Sequence, residues 1–189
     1  MRPVLIVLTM LLAAPARGAE PPVSHDPQVA DATRLFSQGC VDHIGDPGGT
    51  RAWADGQGFP RIGPGPLTEV LIGPGDKGAA WMIPGEGPHL ALSIRGRTEA
   101  CAVWAERADP VEATTIFRRI MAGTERPGVR VERQPDATRT TPYGALRTEM
   151  YQVSGNQPGR ALVFTLITVE RPGGVFQVNM QVAVARTGE

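Results

Sequence analysis

The side chains whose types could do chemistry here are few: two cysteines, three histidines and the acids near them. A redox-catalytic pair keeps its thiols close, as in Cys-x-x-Cys. Cys40 and Cys101 lie far apart, and in an exported chain they predict one structural disulfide instead. On the loop-entropy model, closing a loop of about sixty residues stabilises the fold by ~4 kcal/mol. Cys40, Asp42, His43 and Asp46 form a compact group of possible metal ligands, with His25 on the far side of the first helix. A metal site needs three or four converging ligands. Bridging Cys40 removes its thiolate, and Asp46 before Pro47 reads as a helix cap, so no metal is expected and Asp42, His43 and Asp46 are the remaining candidates.

His89, with Glu86 close in sequence, has the makings of a general base and its orienting carboxylate. No serine stands in a G-x-S-x-G elbow, no Ser-x-x-Lys is present and the zinc pattern His-Glu-x-x-His is missing. No catalytic residue is therefore assigned. Gly73-Pro74-Gly75-Asp76-Lys77-Gly78 matches G-x-G-x-x-G in letters. A phosphate-cradling loop must run into a helix, and Pro84-Gly85 follow too soon for one, so no nucleotide cofactor is expected. Tyr143, Arg147, Glu149 and Tyr151 fall on one face of a strand and read either as a polar ligand groove or as that strand's solvated face.

The charge is balanced, 19 basic against 19 acidic residues, which points away from nucleic acid and from anionic membranes as partners. Lys77 is the sole lysine, an arginine bias that fits a GC-rich genome. Arg2 followed by the apolar run Val4 to Ala14 and small residues reads as a secretory signal peptide at 1–18. The run is shorter than the ~20 residues a spanning helix needs, so no transmembrane segment is expected after cleavage. A mobile lead at 19–25 and a single domain at 26–189 should follow.

Three Asp-Pro pairs position these residues. Asp is a good helix cap and Pro suits the first helical position, so Asp26-Pro27, Asp46-Pro47 and Asp109-Pro110 each predict a helix start. The first helix carries Val29, Ala32, Leu35 and Phe36 on one face and should end at Gly39 in the left-handed conformation. Residues 59–78, dense in Gly and Pro, read as an ordered loop or lid. In the Asp109 helix, Glu112 resembles a capping-box acid, and Ala113, Ile116, Phe117 and Ile120 form its buried stripe.

Strands are expected at Ala80 to Ile83, His89 to Arg95 and Glu99 to Glu106, then at Val129 to Arg133, Tyr143 to Val153, Arg160 to Glu170 and Val175 to Val184. In the last, Phe176, Val178, Met180, Val182 and Val184 should point inward. The order predicts an α+β domain: an antiparallel sheet of six to seven strands, two N-terminal helices, one helix inserted between strands, and the helices on one face.

Phe36-Ser-Gln-Gly-Cys40 after a helix, Gly58-Phe59, the Trp81 strand and Cys101-Ala-Val103 before an Asp-Pro helix together resemble a family of small exported proteobacterial proteins of unassigned activity. The resemblance implies the same cysteine pairing and a periplasmic or secreted location, and it brings no catalytic residues. The expected function is a non-catalytic binding or accessory module of the cell envelope, with an envelope protein as a possible partner. A small periplasmic hydrolase or ligand-binding enzyme using His89 or His43 is the alternative.

Overall fold

The computed structural model describes residues 24–85, 89–156 and 159–186. The expected signal peptide, residues 19–23 of the lead and Glu86 lie outside the described residues. Within them are four helices, α1 (Pro27–Leu35), α2 (Pro47–Gly56), α3 (Pro66–Ile72) and α4 (Pro110–Thr124). The three Asp-Pro starts hold. Asp26 accepts from Gln28 N at 2.8 Å, Asp46 from Gly49 N at 2.9 Å, and Asp109 from Val111 N at 2.7 Å and Glu112 N at 3.0 Å. Each carboxylate thus satisfies amides that have no partner inside the helix.

Two local expectations are corrected. The first helix does not stop at Gly39 but widens into a π turn, Phe36–Val41, in which Asp42 N donates to the Ser37 carbonyl at 3.0 Å. Gly39 is needed for close approach, because a Cβ there would sit 2.9 Å from Cζ3 of Trp53 on α2. The Gly/Pro-rich stretch is not all loop either. Pro66 opens α3, whose Leu71 and Ile72 are buried.

The sheet has eight strands among the described residues: β1 (Ala79–Ile83), β2 (Leu90–Ile94), β3 (Cys101–Ala105), β4 (Arg130–Arg133), β5 (Ala137–Thr141), β6 (Gly144–Ser154), β7 (Arg160–Val169) and β8 (Val178–Arg186). Their order is β1-β2-β3-β8-β7-β6-β4, with β5 also on β6 and every pairing antiparallel. The architecture is α+β. The additional strand, β5, continues β4 along the same edge after a one-residue register shift, from Arg133↔Tyr151 to Ala137↔Thr148. This is a bulge at Gln134-Pro135-Asp136, and an edge strand tolerates Pro135, which has no N–H to donate.

Helices cover both faces, not one. Val29, Ala32 and Phe36 of α1 and its π turn join Ile116, Phe117 and Met121 of α4 in a core with Leu92, Val103, Phe164 and Met180 from the sheet. On the opposite face α3 lays Leu71 and Ile72 over Ala80 and Ala91. Phe176 belongs to this second cluster, against Trp104 at 5.5 Å between ring centroids, and does not point inward with Val178. The chain is irregular just before β8, where Gln177 donates to the Glu170 carbonyl and accepts from Ala108 N. Alternation therefore begins only at Val178.

Candidate functional site

The N-termini of α1 and α4 are tied together. Asp26 Oδ2 accepts from Asp109 N at 2.6 Å, and Glu112 accepts from Ser24 Oγ and from the backbone N–H groups of His25 and Asp26. Glu112 therefore completes a cap on a helix other than its own. Hydrogen bonding, first from Ser24, holds its carboxyl below the ordinary glutamate range. The other ends of the two helices rest on different strands. The π turn is held at β3 by the Cys40–Cys101 disulfide, whose Cα atoms are 5.4 Å apart, whereas α4 packs over β7 and β4.

Between those ends the sheet is incompletely covered, and a cleft of about 580 Å³ opens there. Its floor is Val153, Leu162, Phe164 and Val184 from the last three strands. Val41 and Ile44 form one wall, Ile120, Met121 and Val129 the other. Thr124, Arg126 and Arg160 supply the polar groups at its edge. Neither arginine makes an ion pair among the described residues. The Arg160 guanidinium leans toward Gly45, with Nη2 4.0 Å from where a Cβ would stand. Arg160 also lies directly across from Arg186 in the β7–β8 register. A pocket of this size, apolar with a few polar groups at its edge, has the form of a small-molecule site.

The residues singled out from sequence are dispersed. Cys40 and Cys101 are joined, so neither thiol is a nucleophile or a ligand. Asp46 is engaged as the α2 cap, Asp42 follows the π turn, and the His43 ring faces Trp53 at 6.3 Å. Among the described residues, no three His, Cys, Asp or Glu side chains converge as metal ligands would. His89 is exposed at the start of β2, where its backbone N–H donates to Glu106 at 3.0 Å. His25 is exposed and likewise engaged through its backbone. Gly73 to Gly78 connect α3 to strand β1, so the loop does not run into a helix N-terminus.

Arg147, Glu149 and Tyr151 do share a face of β6, and α4 covers that face over part of its length. Arg147 and Tyr143 are exposed, whereas Glu149 and Tyr151 are buried. Arg118 of α4 grips Glu149 with Nε at 2.9 Å and Nη2 at 2.5 Å, and Arg133 adds a longer contact at 3.4 Å. Tyr151 packs edge-on against Phe117, and burial pushes its hydroxyl above the usual tyrosine range. The four residues are thus divided between surface and helix contact and do not line one groove.

Sequence reasoning passed over Arg126 and Arg160, the polar groups of the cleft. Both are single arginines in an arginine-rich chain, one past a helix end and one opening an apolar strand. Only their lack of carboxylate partners beside an apolar hollow distinguishes them, and that is a three-dimensional property. Comparison with protein families, with characterised proteins and with solved structures finds no match to this chain.

Proposed function

We propose that this chain is a non-catalytic binding module of the bacterial cell envelope, periplasmic or secreted, and that the cleft between the π turn and α4 is its binding site. The observation that carries the reading is the apolar lining of that cleft, whose described polar rim consists of Thr124, Arg126 and Arg160. Pockets of roughly 300–1,000 Å³ accommodate small organic ligands, so its size suits one. Export is supported by the leader-like start of the sequence and by the disulfide, a bond that persists in oxidising compartments. No helix among the described residues is long and apolar enough to cross a membrane. The resemblance to small exported proteobacterial proteins points the same way.

A hydrolase built on His43 or His89 has less support. The His43 ring neighbours Trp53 and the backbone of His89 contacts Glu106, and among the described residues neither histidine has a hydroxyl or thiol nucleophile in hydrogen-bond contact. The test is native mass spectrometry of mature protein from its own envelope fraction, beside a Leu162→Trp variant that fills the cleft. A bound mass in the parent that is lost in the variant supports the reading. A bare parent that also fails to take up a hydrophobic fluorescent reporter sinks it.

A further inference from the structure

We infer that the cleft takes an anionic amphiphile: a single acyl or alkyl chain against the floor, and a carboxylate or phosphate head between Arg126 and Arg160. This rests on the cleft being the binding site and adds the ligand's chemical class. The lining is apolar from Val41 on one wall to Val129 on the other, so the buried part of the ligand must be apolar too. Among the described residues, the charged side chains lining the cleft are both cationic. Arg126 and Arg160 line the cleft, and Arg186 stands opposite Arg160 on the adjoining strand.

Like charges placed directly across an antiparallel pair destabilise it. Carboxylates relieve arginines brought together elsewhere in the fold, as Glu149 does between Arg118 of α4 and Arg133 of β4. Glu99 lines the small depression beside Arg160 and Arg186, but it is not within ion-pair distance of either. An anionic head would supply the counter-charge that the described residues do not. Guanidinium groups suit that role because their planar fork matches both carboxylate and phosphate oxygens. A neutral chain of equal length would gain the apolar contacts and leave the cationic rim uncompensated.

The experiment is calorimetric titration of the intact, oxidised protein with dodecanoate, dodecyl phosphate and dodecanol, each below its aggregation threshold. One anion or both should bind about tenfold tighter than dodecanol or better, the stronger identifying carboxylate or phosphate as the preferred head. Arg126→Glu and Arg160→Glu should abolish that preference by weakening the anions far more than dodecanol, whereas Arg139→Glu on exposed β5 should leave the preference intact. Rising salt should narrow the preference. Equal binding of all three compounds, unmoved by Arg126→Glu and Arg160→Glu, would overturn the anionic head and leave the apolar site standing. A preference lost equally in Arg139→Glu would reduce it to bulk charge and overturn it as well. No binding of any compound would remove both the head-group assignment and the cleft as a binding site.

Discussion

The two halves of the sheet are built to different standards of closure. Around β1 to β3 both faces are covered, by α1 and its π turn on one side and α3 on the other, and every residue of β2 is buried. Around β6 to β8 the helical side is covered by α4 and, over β8 and Phe164, by the π turn, and between them Leu162 and Val184 stay half-buried at the bottom of the cleft. The first region also holds the disulfide and Trp81, whose Nε1 donates to Asp55 at 2.9 Å. Close packing on both faces leaves β2 without open surface, and the hollow at its edge, between α1, α2 and the end of β1, carries polar side chains such as Gln28, Asp31 and Gln38. The partly covered region lacks such packing where the cleft opens, and a ligand can restore it.

The sharpest way to test this contrast is to remove the disulfide. Cys40→Ala with Cys101→Ala should lower unfolding stability by ~4 kcal/mol, read by urea titration. Amide hydrogen exchange should show protection lost first in α1 and the π turn. A uniform loss reaching β6 to β8 at once would mean that the two regions are one cooperative unit.

Leu71→Ala comes next. Leu71 is fully buried between α3 and the sheet, so truncation should cost about 3 kcal/mol. A loss below about 1 kcal/mol would mean that α3 is an ornament on the outer face and that β1 to β3 are not truly double-covered.

A smaller effect is expected from Glu149→Gln. The Glu149 side chain is 8 % exposed, but its main partner Arg118 is 48 % exposed and can return to water, which limits the loss to about 1–2 kcal/mol. Ligand binding should persist, because Glu149 lies outside the cleft lining. Abolished binding with an intact fold would instead place this network in the site.

The smallest effect concerns acid. The Glu112 carboxyl is held below its ordinary range by Ser24 and by backbone amides of the α1 start. A depressed carboxylate contributes stability that is present above its unfolded pKa and is lost as pH falls through its folded pKa. Glu112→Gln should therefore flatten the acid limb of the stability curve and leave neutral stability lower. An unchanged acid limb would show that the Glu112 contacts between α1 and α4 add nothing to stability.

Much of this architecture is local and therefore readable along the chain. Each Asp-Pro pair states a helix start with its own cap, Ala113, Ile116 and Phe117 are buried on α4 as expected although Met121 and not Ile120 completes the stripe, and two cysteines allow one pairing. The polar strand β5 escaped because Ala137 to Thr141 have no apolar alternation and exist only by pairing with β6. Helix α3 was hidden because Gly and Pro dominate its surroundings, while burial of Leu71 and Ile72 sustains it. Glu149 and Tyr151 looked like half of a solvated face because period-2 patterning does not say which helix lies above a strand.

The pieces and their crosslink follow from side-chain chemistry acting over a few residues, and those interactions survive in any arrangement of the elements. Coverage is different in kind. Whether Arg126 and Arg160 meet a carboxylate, and whether Leu162 and Val184 meet a helix, depends on where α1 and α4 come to rest on strands distant in sequence. The cleft arises because the helix starts are clasped at Asp26, Asp109 and Glu112 while their ends are carried to separate strands, a geometry that no local stretch encodes.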